Sequence, residues 1–458
     1  MAKQTRTTLK TYFNTGDAPT ESQFGDLIDS LQSRDEDTKG VKVICPSGGE
    51  GDYICDGVED NVTFSSAIAD GGTIFVKAGT YYFDNSVYLP DDTTIIGDGI
   101  GKTIIKIEPT SVSNFGYRYM FQRSGSATNC RITDMTVDGN YSNMSSPSTN
   151  KGGGIAVGDD WRIERVEFLD SNYFCLWVNG VDGVLIRDCQ FNDTTGRNND
   201  NIGGGTVTNT IIENNVFAEN IHGNIIDFVC GSNITIRNNI NNGSTTIYME
   251  GVTDSILTMN VMHNTSIVLE SNRGYSPSHV INPLRMEVSN NRINGGGYIA
   301  LKYGNEVGSG TMDKGGYNKI INNIIKDAGK SGIIVYPSGD NDETTLGNDI
   351  ISGNTVINSN QDDVSSWNTG NGICHPSGIN VYRGTGYIIS NNVCIDNQTT
   401  KTAHYGIEIG ETYAQTSDNQ AKDVIITGNI VQGKTDGINI VNATYSTNII
   451  QENNIDKT

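Results

Sequence analysis

What the chain lacks constrains it first. No run of about 20 apolar residues occurs in the 458 positions, so no segment reads as a membrane-spanning helix. The start, Met-Ala-Lys-Gln-Thr-Arg-Thr-Thr, leads into no apolar stretch of the secretory kind, so export by a signal peptide is not expected. Charged residues make up only 18% of the sequence, below the usual quarter, which leaves the surface to Asn, Ser, Thr and Gly. Positive charge is scarcer still: 31 Lys and Arg stand against 53 Asp and Glu, a formal net charge of −22. Such a field repels nucleic acid and anionic membranes, and it disfavours a strongly acidic polymer unless a local basic patch overrides it. Its plainest effect is solubility. The eight cysteines show no metal-type spacing. Cys130, Cys175, Cys189, Cys230 and Cys394 lie in or beside apolar strand-like runs, where a thiol behaves as a small hydrophobe. No cofactor or metal is expected.

What the chain has is repetition. Ile186-Arg-Asp-Cys189, Ile212-Glu-Asn-Asn215, Ile236-Arg-Asn-Asn239, Leu257-Thr-Met-Asn260, Val288-Ser-Asn-Asn291, Ile320-Ile-Asn-Asn323, Ile351-Ser-Gly-Asn354, Ile389-Ser-Asn-Asn392, Ile426-Thr-Gly-Asn429 and Ile450-Gln-Glu-Asn453 share one frame. Ile132 and Ile163 open two earlier members without the Asn. The anchors fall roughly 21 to 38 residues apart, inside the range of repeat architectures. The leading aliphatic residue is expected to point into a bore. The Asn three places on is expected at a corner in αL geometry, where stacked coils about 4.8 Å apart let its amides form a ladder. A second strand follows each corner, as in Ile247-Tyr-Met-Glu250, Ile267-Val-Leu-Glu270, Ile299-Ala-Leu-Lys302, Ile333-Ile-Val-Tyr336 and Ile379-Asn-Val-Tyr382. The runs are short, β-branched and broken by Gly and Asn, which excludes a helical solenoid. The expected fold is all-β, a right-handed parallel β-helix of about 12 coils with a short N-terminal helical segment.

Three regions follow. Residues 1–40 carry a capping-box pair, Thr20 and Gln23, and an apolar stripe of Phe24, Leu27, Ile28 and Leu31. A helix that short must plug the β-helix end or meet copies of itself, so this region is read as an attachment or oligomerisation segment. Residues 41–110 form the opening and cap, and residues 111–458 the coils with loop insertions.

The opening contains Asp60-Asn-Val-Thr-Phe-Ser-Ser-Ala-Ile68, Gly71-Gly-Thr-Ile-Phe-Val-Lys-Ala-Gly-Thr-Tyr81 and Thr94-Ile-Ile-Gly-Asp-Gly-Ile-Gly-Lys-Thr-Ile104. It resembles the start of the pectate-lyase-like superfamily in the form found in phage tail spikes, with Lys77 where a Pro is usual. The segment from Leu9 to Phe24 is similar to leaders of phage tail-fibre proteins. The resemblance implies a virion tail protein, made in the host cytoplasm and acting outside the cell. It would attach to a tail or baseplate protein through residues 1–40, assemble as a homotrimer, and recognise a bacterial surface polysaccharide. It does not fix the chemistry, because one fold hosts lyases, hydrolases, epimerases and binders.

Equivalent strand positions on successive coils form a straight outward stripe, read here as Glu250, Glu270, Lys302, Tyr336 and Tyr382. Glu250 and Glu270 on adjacent coils would repel, raising one pKa as a general acid requires. Asp227, one coil earlier, falls one position before the stripe on this alignment and joins it only if that coil's register slips by one. Tyr336 and Tyr382 could stack on sugar rings. Lys302, Arg273 and Arg383 could neutralise a uronate in a lyase. The pectate lyase calcium and arginine pattern and the polygalacturonase signatures are not visible. The plain alternative is that the outward Glu and Lys only solvate a face. The Asp340-Asn-Asp342-Glu343 run reads as an acidic turn, and His222 as a surface histidine. Long insertions at 305–317, 337–349, 359–377 and 397–404 place Trp367, His375 and Tyr405 beside a possible binding groove. The readings that follow are a depolymerase, hydrolase before lyase or epimerase; a glycan-binding spike without turnover; and a purely structural spike.

Overall fold

A computed structural model describes residue 20 and residues 40–109, 119–144, 152–171, 173–192, 200–219, 223–272, 279–304, 311–312, 315–337, 347–363, 367–368, 373–410, 421–441 and 446–458. Residues 1–19 and 21–39, and with them the expected N-terminal helix, lie outside the described residues.

The chain winds as a parallel β-helix. Each coil gives two short strands to one large sheet and one strand to a second sheet. One turn reads Ile211–Glu213, Val216–Phe217 and then Ile226–Ser232, after which Thr235–Arg237 stacks on Ile211–Glu213 in parallel. Nine of the ten aliphatic anchors fill the bore: Ile186, Ile212, Ile236, Leu257, Val288, Ile320, Ile351, Ile389 and Ile426 are buried, whereas Ile450 is exposed because Gln451, not Ile450, pairs with Ile426 in the last coil. Burial of this kind stabilises by about 25 cal/mol per Å² of apolar surface. Equivalent positions stack like on like. Phe168, Phe191 and Phe217 lie face to face, with centroids 5.0 and 4.6 Å apart.

The asparagine corners divide their work between two residues. The left-handed conformation falls on Asn214, Asn238, Met259, Asn290, Asn322, Gly353, Asn391, Gly428 and Asn453. The ladder is built by the residue after each. Asn239 Nδ2 donates to Asn260 Oδ1 at 3.0 Å and to the Ile212 carbonyl at 3.0 Å, and the pattern repeats through Asn291, Asn323, Asn354, Asn392 and Asn429. Each Oδ1 also accepts the backbone N–H of the asparagine below it. The expectation that the ladder asparagine itself takes αL geometry is therefore corrected. The αL residue turns the chain, and the next residue can then face inward with its amide aligned to the coil axis. The last rung is Asn454 rather than Asn453, since Gln451 and not Ile450 pairs with Ile426 and so shifts that coil's frame by one; Asn429 Nδ2 donates to Asn454 Oδ1 at 2.9 Å.

The helix Asp60–Ile68 closes the N-terminal end. Its Phe64 meets Tyr81, Phe83 and Phe121 edge-on or tilted, at 5.4, 5.0 and 6.4 Å, which shields the first coil from water. Among the described residues no helix is long and apolar enough to cross a membrane.

Candidate active site

The second sheet carries the site. The strands Ile202–Thr208, Ile226–Ser232, Thr246–Thr253 and Ser266–Glu270 stack in parallel. Their register sets two outward rows. One reads Gly203, Asp227, Tyr248, Val268; the other reads Gly205, Val229, Glu250, Glu270. Asp227 thus sits two positions before the Glu250 row, not one. The coil does start one residue later than the sequence alignment placed it, with Ile226 and not Ile225 opposite Ile247. Strand side chains alternate between faces, so this single step turns Asp227 outward, onto the face that carries Glu250.

Asp227 and Glu250 line a cleft of about 290 Å³ together with Phe174, Trp177, Asp200, Gly204 and Val229. Asn224 ties the acids together: its backbone N–H donates to Asp200 Oδ1 at 2.7 Å and its Nδ2 to Asp227 Oδ2 at 3.1 Å. Burial, then the charges of Asp200 and Glu250, push Asp227 up to about 7. Burial raises Asp200 as well. A carboxylic acid that keeps its proton near neutrality, beside a second carboxylate, is the equipment of general acid–base chemistry.

The wall opposite is aromatic. Phe174 and Trp177 stand 4.7 Å apart at 46°. Phe174 needs a bare floor, because a Cβ on Gly203 would come within 2.4 Å of its ring. Directly beyond the cleft, three stacked residues take αL geometry: Thr206, Cys230 and Gly251. They bend the sheet away just past Gly205, Val229 and Glu250. Cys230 is half-buried rather than buried as its apolar context implied, because this bend turns it out of the core.

The remaining stripe residues align as read from the sequence. Glu250, Glu270, Lys302 and Tyr336 are in register, and Tyr382 follows, its N–H bonded to the Val335 carbonyl. They form a different environment, however. Glu270 is fully buried, accepts a hydrogen bond from Tyr248 and pairs with Lys302 Nζ at 3.0 Å. Lys302 lies 5.6 Å over the Tyr336 ring, and Tyr336 packs edge-on against Tyr382 at 6.1 Å. Val268, Ala300 and Ile334 complete this buried patch. Arg383 is buried too. Arg273, His222 and the Asp340–Glu343 turn lie outside the described residues, as does the side chain of Trp367, whose backbone pairs with Cys374 in a short hairpin.

Asp200, Phe174 and Trp177 were not singled out by sequence. The signal available was Gly203-Gly204-Gly205 inside a strand, since consecutive strand glycines mark a place where something approaches the backbone closely. Among the described residues no group of three or more His, Cys, Asp or Glu is placed to hold a metal.

Fold and cleft together define a right-handed parallel β-helix with an acidic, aromatic-walled cleft on one face. Among solved structures, the catalytic unit of the α-1,3-glucanase of Streptomyces thermodiastaticus is similar over 85% of this chain and 66% of that one, with a TM-score of 0.57 and 14% identity, a likeness of fold. In sequence, the chain is similar to two proteins of Azotobacter vinelandii. Mannuronan C5-epimerase AlgE1 is 28% identical over 173 residues, covering 31% of this chain and 12% of that protein. Mannuronan C5-epimerase AlgE4 is 28% identical over 195 residues, covering 38% and 34%. The chain thus spans only a minor part of the length of these relatives. No protein-family model matches it.

Proposed function

We propose that this chain is a polysaccharide depolymerase of the glycoside hydrolase kind, acting on a bacterial surface glycan as the tail spike of a phage. The observation that carries the reading is the convergence of Asp200, Asp227 and Glu250 from three successive coils on one aromatic-walled cleft. Asp227, held protonated by burial and by the neighbouring charges of Asp200 and Glu250, gives its proton to the glycosidic oxygen as the bond to the anomeric carbon breaks. Glu250 takes a proton from the attacking water. One coil step and two residues along the strand separate their Cα atoms by about 8 Å, so both carboxyl groups reach the same cleft. Phe174 and Trp177 offer flat faces to sugar rings. Three carboxylates favour a neutral sugar over a uronate, whose charge they would repel.

The virion role is supported by the resemblance of the opening motifs and of residues 9–24 to tail proteins. In it, residues 1–40 bind a tail or baseplate protein, three copies assemble, and the protein, made in the host cytoplasm, acts outside the cell. A uronate epimerase is the second reading, favoured by the names of the sequence relatives.

The test is incubation with purified bacterial capsular and O-antigen polysaccharides. New reducing ends without ultraviolet absorbance support a hydrolase. Absorbance from an unsaturated uronate marks a lyase, and a changed uronate ratio without cleavage marks an epimerase. Binding without any of these leaves a receptor-binding spike.

A further inference from the structure

A second cluster of polar side chains lies on the same sheet toward the C-terminal end. Glu408, in the strand Tyr405–Ile409, is in register with Asn380 on one side and Asn439 on the other. Its carboxylate is fully buried and accepts four hydrogen bonds. His375 N donates at 3.0 Å and Asn380 Nδ2 at 2.8 Å to Oε2; His375 Nδ1 donates at 2.8 Å and Asn439 Nδ2 at 3.1 Å to Oε1. Asn380 is itself fixed, accepting from Ser331 Oγ at 2.5 Å and donating to the His375 carbonyl at 3.2 Å. A carboxylate gripping Nδ1–H selects one tautomer and aims the Nε2 lone pair away from Glu408.

The His375 ring is 30% exposed. It lies 5.2 Å from the His404 ring, and Tyr405 stands edge-on to it at 5.6 Å. Among the described residues, His375 Nε2, the His404 ring nitrogens and the Tyr405 hydroxyl make no hydrogen bond. Three polar tips and two ring faces therefore meet at one half-open place, over a base built from six hydrogen bonds. A structural ion pair has no need of a base so fully specified beneath an open acceptor.

We propose that His375, His404 and Tyr405 form a second carbohydrate-contact site, in which His375 Nε2 accepts a sugar hydroxyl and the rings carry the apolar face of the same sugar. Glu408 is a positioning residue there. It occupies the outward row of Asp227, six coil steps on, or about 29 Å. The row between them, Val268, Ala300 and Ile334, is buried, so the two are separate stations rather than one groove. The inference rests on the reading that the chain handles polysaccharide, but binding here is independent of cleavage in the acidic cleft.

The experiment uses the full chain carrying Asp227→Asn, to stop turnover, on an array of bacterial surface oligosaccharides and polysaccharides. Tyr405→Phe and His404→Ala are added singly, since both leave the four donors of Glu408 in place, and His375→Ala is added as the severe case. The expected result is binding by the Asp227→Asn protein that drops about tenfold when His404→Ala or His375→Ala is added, and several-fold with Tyr405→Phe. Unchanged binding in the His404→Ala and Tyr405→Phe proteins overturns the site, as does the absence of any bound glycan. The depolymerase reading stands or falls separately, on whether the unmutated protein releases reducing ends.

Discussion

Asn224 bridges Asp200 and Asp227 across one coil step, its backbone N–H donating to Asp200 Oδ1 at 2.7 Å and its Nδ2 to Asp227 Oδ2 at 3.1 Å. In a partly dry cleft two carboxylates this close cannot both ionise readily, so the pair keeps a proton to higher pH than either acid would alone. Burial raises both acids, and the charge of Glu250 adds to the push on Asp227.

Activity is accordingly expected to fall as pH rises through about 7, the point to which Asp227 is pushed, because only the protonated acid can serve the leaving group. Asp227→Asn should cost about 10²- to 10⁴-fold in kcat. It should also raise the melting temperature, since it removes an acid whose folded pKa lies above its ordinary value. Asp200→Asn takes away a like charge, so the alkaline limb of the pH–rate profile should move to lower pH. A limb that stays in place would remove Asp200 from the acid machinery.

Much of this fold is written openly in the sequence, and the reason is periodicity. A recurring Ile, Leu or Val followed by Asn can be found without coordinates because every coil meets the same neighbours. What was hidden is whatever depends on a single coil's departure from the repeat. Asp227 lay on the wrong face of the sequence alignment because one residue of loop decides where its strand begins. Asp200 stands just before a strand, and the interval 193–199 ahead of it matches no repeat. Glu270 shares Glu250's position in the repeat yet is buried by Lys302 and Tyr248, because packing across a face has no period to betray it.

The ladder should respond to position along the coil axis. Asn291→Ala strips the acceptor from Asn260 Nδ2 and from the Asn260 backbone N–H, and the donor from Asn323 Oδ1. Leaving buried amide groups unmatched should cost about 3 kcal/mol. At the open end, Asn454→Ala affects only the Asn429 side of the same pattern and should cost about 1 kcal/mol. Denaturant midpoints of the two variants measure the difference, and equal losses would show that the ladder is not the source.

Thr206 is a β-branched residue at φ 55°, exposed and next to the cleft. A left-handed conformation costs an L-residue about 1–2 kcal/mol, and glycine nothing. After glycine's greater entropy in the unfolded chain is set against this, Thr206→Gly should stabilise the protein by about 1 kcal/mol. Turnover should be unchanged, since the backbone bend is kept. A lower denaturation midpoint would mean that the Thr206 side chain contributes contacts that outweigh its strain.

Asp349 supplies a pH dependence away from the cleft. It is fully buried, accepts the Tyr303 hydroxyl at 2.5 Å and the Asn318 N–H at 2.8 Å, and burial pushes it up to about 6 from an ordinary 3.8. Its folded pKa is raised, so its contribution to stability is full below about pH 4 and is lost as pH rises through about 6. The shift corresponds to about 3 kcal/mol. Other carboxylates titrate in the same range, so the quantity to measure is the stability of the unmutated protein minus that of Asp349→Asn. That difference should fall by about 3 kcal/mol between about pH 3 and pH 7. A flat difference would mean that the two hydrogen bonds hold Asp349 ionised throughout, with burial outweighed.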